Sequence, residues 1–191
     1  MTGREPPRVV LLNGPPGIGT TTLARRYVRD RPLALALDID TLRRGLGRWE
    51  EHQEAAGQLA RAMALAMIRT HLAAGHDVVV PQYVARAEFL DALAAAADAG
   101  GGRFFEVYLT DAREAALERF EARAGDEAAA EHHAEAVRTL GGPAALAAMV
   151  DRIEAVRAGR PGAIAVPTRA GAVEESYRAL LAALEAASVR P

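Results

Sequence analysis

The residues of this chain best suited to chemistry run from Gly14 to Thr22: Gly14-Pro15-Pro16-Gly17-Ile18-Gly19-Thr20-Thr21-Thr22. They fit the spacing G-x-x-x-x-G-K-[ST] at every fixed position except one, because Thr20 stands where that pattern has lysine. In such a loop successive backbone N–H groups turn inward toward an anion. The helix that follows adds the partial positive charge of its N-terminus. Neither contribution needs a lysine side chain. Thr21 takes the place of the hydroxyl that meets Mg²⁺, whereas Thr20 brings one hydroxyl and no charge. The chemistry indicated is the binding of a nucleotide's phosphates. The plainer alternative is a Gly/Pro-rich turn joining a strand to a helix.

A second group lies at Asp38 and Asp40, which end the apolar run Leu33–Leu37. Carboxylates at the carboxyl end of a buried strand occupy the edge where open α/β sheets place their chemistry. If the strand persists, the two side chains point to opposite faces and do different jobs. In phosphoryl transfer to a hydroxyl, one carboxylate accepts or orients the proton of the receiving group. Asp40 suits that role, but it also leads Thr41-Leu42-Arg43 and serves equally as a helix N-cap. Arg43, Arg44 and Arg48 follow, either as forks for a phosphate or carboxylate or as ordinary surface arginines. They point to an anionic or polar substrate. Trp49, the single tryptophan, either stacks on a planar substrate or covers the edge of the core. Gln82 follows the third apolar run, where phosphate-loop enzymes usually hold a metal-binding aspartate. It can hydrogen-bond a substrate or water but cannot neutralise a metal, so Mg²⁺ is expected to rest on Thr21, the nucleotide phosphates and Asp38. Arg119 and Arg123, four apart, share one helix face. They form either a lid over the transferring phosphate or a solvated face pairing with Glu118 and Glu127. His132 and His133 diverge on a helix and have no third ligand spaced to join them, so they read as surface.

The elements that position these groups alternate. Apolar runs at Arg8–Leu12, Leu33–Leu37, Asp77–Val80, Phe104–Leu109 and Gly162–Val166 predict five short buried strands. Between them, periodic segments predict helices over 21–28, 51–74, 86–99, 111–124, 143–158 and 173–187. Leu59, Met63, Met67 and His71 share one face of the long second helix. Thr41–Gly47 reads as a polar connection. Strands alternating with helices predict an α/β protein, a parallel sheet covered on both faces. The weakly periodic segment 125–142, bracketed by glycines, is a candidate lid. A chain of 191 residues suits one domain spanning 1–191.

Composition narrows the function. A net charge of -2, from 23 basic and 25 acidic residues, provides no field for a polyanion, which argues against nucleic acid as a partner. The absence of cysteine removes disulfides and thiol chemistry. There is no lysine, so every basic side chain apart from histidine is an arginine. No signal-peptide core or membrane-length apolar run is visible, and the expectation is a soluble cytoplasmic protein without a membrane partner.

Four elements, taken in order, resemble a known family: Gly14–Thr22, Asp40-Thr41-Leu42-Arg43, Arg119-Phe120-Glu121-Ala122-Arg123 and Val166-Pro167-Thr168. The chain is similar to small P-loop kinases of the zeta-toxin-like, chloramphenicol-phosphotransferase-like and tunicamycin-resistance-like groups. That resemblance implies a three-layer P-loop NTPase fold of adenylate-kinase type, with a five-stranded parallel sheet and a small helical lid. It implies ATP or GTP as cosubstrate with Mg²⁺, and a small-molecule hydroxyl acceptor, an antibiotic or its precursor among the possibilities. Asp40 would be the acceptor-side base, Arg43 an acceptor contact, and Arg119 or Arg123 the lid arginine. The family carries lysine at the position of Thr20 and often aspartate near Gln82. The expected activity is therefore a nucleotide-dependent phosphotransferase. The alternatives are a nucleotide-binding module with little or no transfer, and a phosphate-handling hydrolase on the same fold.

Overall fold

The computed structural model describes residues 5–110 and 143–189. Eleven elements follow one another along these residues. They are β1 (Arg8–Asn13), α1 (Thr20–Arg29), β2 (Leu35–Ala36), α2 (Ile39–Arg44), α3 (Gln53–Ala73), β3 (Val78–Pro81), α4 (Ala87–Ala99), β4 (Arg103–Thr110), α5 (Pro143–Ala158), β5 (Ile164–Pro167) and α6 (Val173–Ser188). The strands form one five-stranded parallel sheet in the order β2-β3-β1-β4-β5. Register is set by pairs such as Val10↔Val79 and Leu35↔Val78 on one side, and Tyr108↔Ala165 on the other. The central strands β1 and β3 are short and apolar because both of their faces are covered, whereas Ala36 on β2 and Ala165 and Pro167 on β5 are exposed. Val9 to Leu12 and Val78 to Val80 are fully buried, as expected of central strands in a parallel sheet. No described helix is long and apolar enough to cross a membrane.

The chain divides into two compact units. The first holds the described residues up to Leu12, together with 24–82 and 87–105. Here α3 packs against α2 and α4. The face of α3 that turns inward is Ala56, Ala60, Ala64, Ile68 and Leu72. The stripe expected from the large residues lies elsewhere: Leu59, Met63 and Met67 are 51%, 37% and 36% exposed. Small side chains let helix backbones approach closely, and α4 answers with Ala96 and Ala97. The same closeness appears where α4 ends. A Cβ on Gly100 would sit 2.8 Å from Leu72 Cβ, and one on Gly102 would sit 2.7 Å from the Pro7 carbonyl oxygen.

A second correction concerns residues 39–47. The polar connection contains a helix, α2, and the strand does not persist through Asp38. Asp38 is the N-cap, its Oδ1 accepting from the Thr41 N–H at 3.1 Å. The cap therefore falls two residues before the one considered for it. β2 is correspondingly reduced to Leu35–Ala36, although Leu37 N–H still donates to the Val79 carbonyl at 2.8 Å.

The second unit holds 13–23, 83–86 and the described residues from Glu106 onward. Its core gathers Ile18, Leu23, Val84, Tyr108, Leu109 and the inner face of α6, where Tyr177, Leu180 and Leu184 are buried. The helix expected over 111–124 and the candidate lid at 125–142 lie outside the described residues, as do Arg119, Arg123, His132 and His133.

Candidate functional site

The glycine-rich loop that follows β1 belongs to the second unit. Asn13 ends β1, and Thr20 opens α1. Between them Ile18 N–H donates to the Pro15 carbonyl at 3.2 Å, closing a turn. Gly17 has φ 92° and Gly19 φ 109°, values that side chains with a Cβ rarely adopt. Gly14 is needed for a different reason. A Cβ there would stand 2.6 Å from Ile18 Cγ2 and 3.6 Å from the Leu109 carbonyl oxygen. Gly19 then supplies the carbonyl that Leu23 N–H reaches at 3.0 Å, which begins the helical ladder. The first turn of α1 holds no acidic residue, while its last turn carries Arg26 and Arg29. The positive end of the helix dipole is therefore not offset by a carboxylate of its own first turn. Thr20 is half-buried, and Thr21 and Thr22 are exposed. Pro15 is buried and Pro16 half-buried, and together they stiffen the approach to Gly17.

Beneath the loop lies a polar chain that the sequence did not disclose. Asn13 is fully buried. Its side-chain nitrogen donates to the Val84 carbonyl at 2.7 Å, and its oxygen accepts from the Val84 N–H at 2.9 Å. One amide thus holds both polar groups of Val84. Asn13 also hydrogen-bonds the Tyr108 hydroxyl, which donates to Glu106 Oε1 at 2.5 Å. Arg160 Nε completes the chain at 2.8 Å from Glu106 Oε2. Glu106 and Tyr108 are two apart on β4, so they share a face, and both are buried. Burial, reinforced by the neighbouring Glu106 carboxylate, pushes the Tyr108 phenol well above its usual range. It therefore stays protonated and donating. Tyr83 reaches the Met149 carbonyl on α5 at 3.5 Å, and its phenol is raised by burial as well. The sequence signals for this network were two polar residues in apolar runs, Asn13 closing Val9–Leu12 and Glu106 within Phe104–Leu109.

The acidic and arginine residues gather in the first unit. Asp40 sits in the first turn of α2. Its Oδ2 accepts from Gln82 Nε2 at 3.0 Å, and its Oδ1 lies 3.3 Å from Arg43 Nη2. The Arg43 guanidinium lies over the Trp49 ring, 4.8 Å from the centroid. Asp40, Arg43, Trp49 and Gln82 thus form one cluster. Arg44 donates to Thr41 Oγ1 at 3.2 Å, and Arg48 pairs with Glu51. Asp38 turns to its capping role. Gln82 itself is anchored where β3 ends, its N–H donating to the Leu12 carbonyl at 3.2 Å.

A site of this kind implies Mg²⁺ brought in with the nucleotide. Among the described residues no group of three or more His, Cys, Asp or Glu side chains is placed to hold a metal. The exposed hydroxyl of Thr21 fits a hard cation that takes most of its oxygens from phosphate and water. Asp38 has one oxygen committed to α2, and Gln82 brings no charge.

A family model described as an AAA domain matches residues 9–143. No curated protein matches the chain in sequence. Among solved structures, the gluconokinase of Sinorhizobium meliloti 1021 superposes with a TM-score of 0.62 at 21% identity, covering 97% of this chain and 95% of that one. The shikimate kinase of Acinetobacter baumannii, in complex with shikimate, gives 0.65 at 16%, covering 96% of each. The tunicamycin resistance protein of Deinococcus radiodurans gives 0.60 at 17%, covering 95% and 96%. These likenesses establish the fold, which is that of P-loop small-molecule kinases.

Proposed function

This chain belongs to the AAA-domain family, and from that premise we propose that it is a nucleotide-dependent phosphotransferase that moves the γ-phosphoryl of ATP or GTP to a hydroxyl of a small molecule. The observation that carries this reading is the loop itself: Gly17 and Gly19 at positive φ, Gly14 against Ile18, and a helix without first-turn carboxylates. That is a cradle for phosphate made from backbone. Residues 14–22 bind the phosphates, and Thr21 is the side chain the protein offers to Mg²⁺. Bound there, Mg²⁺ neutralises charge on the transferring phosphates.

Asp40 is the acceptor-side base. In the transfer step the acceptor oxygen bonds the γ-phosphorus, and the bond from that phosphorus to the β–γ bridging oxygen breaks. The electron pair leaves with the nucleoside diphosphate. The hydroxyl proton passes to the Asp40 carboxylate, which Gln82 and Arg43 hold in orientation. Arg119 and Arg123 are proposed to balance charge on the phosphoryl group in flight, within a single domain whose lid is 125–142. The likeness to a tunicamycin resistance protein keeps an antibiotic or its precursor among the acceptors to try.

A second reading, a nucleotide-binding module with little transfer, is favoured by Thr20 at the lysine position. Removing one preorganised donor to the transition state costs about 10²–10³-fold in rate. The two readings separate in one experiment. Thr20→Lys and wild type are compared for nucleotide-induced thermal stabilisation and for transfer of labelled γ-phosphate. The phosphotransferase reading expects stabilisation by both proteins and transfer raised by about 10²-fold in Thr20→Lys. Stabilisation with no transfer by either protein supports the binding module. No stabilisation by ATP or GTP with Mg²⁺ refutes both.

A further inference from the structure

The loop Gly14–Thr22 offers a phosphate backbone donors and hydroxyls but no cationic side chain, because Thr20 stands at the lysine position and the chain has no lysine. A permanent charge there has to come from an arginine of another segment. Within the second unit, residues 83–86 are fastened to this loop. Asn13, directly before Gly14, donates to the Val84 carbonyl at 2.7 Å and accepts from the Val84 N–H at 2.9 Å. Arg86 follows two residues later, at most about 7 Å further along the chain. It is exposed, and among the described residues no hydrogen bond, ion pair or ring contact engages it. The other described arginines of this unit are engaged or stand elsewhere. Arg152 meets the Tyr83 hydroxyl, Arg160 meets Glu106, and Arg178 meets the Glu174 carbonyl. Arg157 lies in the last turn of α5, and Arg169 follows β5, which β4 separates from β1.

An exposed arginine is ordinary by itself, but Arg86 is set apart by its place. It immediately precedes Ala87, the first residue of α4. The positive end of a helix dipole disfavours a cation there, and Ser, Thr, Asp or Asn is the favoured capping residue. An anion bound beside Arg86 offsets that local cost. In loops of this spacing the backbone cradles the α- and β-phosphates, while the lysine reaches the β- and γ-phosphates. We propose that Arg86 takes over the lysine's part: its guanidinium binds the γ-phosphate of ATP or GTP and supplies the charge that Thr20 does not. This rests on the nucleotide-binding part of the function proposed above. The γ-phosphate is what separates a triphosphate from a diphosphate, so Arg86 is the residue that selects the triphosphate.

The test measures dissociation constants by calorimetry for ATP, ADP, GTP and GDP with Mg²⁺. The proteins are wild type, Arg86→Met, Thr20→Lys and the double variant. In Arg86→Met, Kd for the triphosphate is expected to rise about 10- to 100-fold, the loss of a charge-assisted hydrogen bond, while Kd for the diphosphate stays within about threefold. Its melting temperature without nucleotide should be no lower than that of wild type, since a cation leaves the start of α4. Thr20→Lys should tighten the triphosphate at least about 10-fold more in the Arg86→Met background than in wild type, because two cations serving one phosphate are not additive. Unchanged triphosphate affinity in Arg86→Met, equal weakening of triphosphate and diphosphate, or a Thr20→Lys gain that is the same in both backgrounds overturns the proposal and leaves the nucleotide site standing. Failure of wild type to bind ATP or GTP refutes that site itself, and this inference falls with it.

Discussion

Replacing Arg160 by methionine tests the polar chain beneath the phosphate loop. The change keeps most of the side-chain volume and removes the cation from Glu106. The Glu106 side chain is 8% exposed and that of Arg160 23%. Losing one partner of a buried ion pair costs about 3–5 kcal/mol. The partly solvated arginine and the surviving Tyr108 bond place this case at the lower end, about 3 kcal/mol. For a chain of this size each kcal/mol moves Tm by roughly 2–4 °C, so a fall of about 6–12 °C is expected. The loss should be recovered in part by Glu106→Gln combined with Arg160→Met. The amide oxygen can still accept from Tyr108, and no buried charge is left alone. A double-mutant cycle in urea should return a coupling of about 1–3 kcal/mol. Because the chain ends on Asn13, next to Gly14, Arg160→Met should also raise the nucleotide KM more than the acceptor KM. If Arg160→Met shifts stability by less than about 0.5 kcal/mol, or the double variant is worse than the sum of the singles, the chain is not a coupled unit and the reasoning fails.

Alkaline pH and the α4–β4 turn provide two further tests. Tyr27 donates to Asp77 Oδ2 at 2.7 Å, and burial, with Asp77 beside it, holds its phenol far above the usual range. A tyrosine ionises at about pH 10 in the unfolded chain, so its share of stability is full below that pH and is lost as the pH climbs beyond it. Tm measured from pH 8 to 12 should fall less steeply above pH 10 in Tyr27→Phe than in wild type, and parallel curves would refute the assignment. At the turn, Gly102→Ala should cost about 1–3 kcal/mol by overpacking against Pro7 and Leu72. Chemical denaturation that gives an unchanged midpoint would show that the turn yields freely.

How legible these features were in the sequence follows from how local their causes are. Val9–Leu12 and Val78–Val80 announced themselves because strands covered on both faces are continuous apolar runs. The turn at Gly14–Gly19 was legible because its glycines are demanded by backbone geometry within a few residues. The inner face of α3 was misread because Leu59, Met63 and Met67 are the larger apolar residues, whereas close helix packing selected Ala56, Ala60 and Ala64. The start of the short helix α2 was misplaced because its cap, Asp38, was weighed as strand-end chemistry and Asp40 as the candidate cap. The Glu106–Arg160 pair spans 54 positions, and no local pattern marks such a partner.

The outward stripe on α3 has a consequence for oxidation. The chain has no cysteine and four methionines, so thioethers are the only sulfur that peroxide can reach. Met63 and Met67 stand on the exposed side, while Met149 is 6% exposed. A sulfoxide at the first two adds a polar oxygen where water already is, and the alanine face beneath them is untouched. The helix that places its smallest residues inward thus carries its most oxidisable ones outside, where they can be consumed and repaired without opening the core.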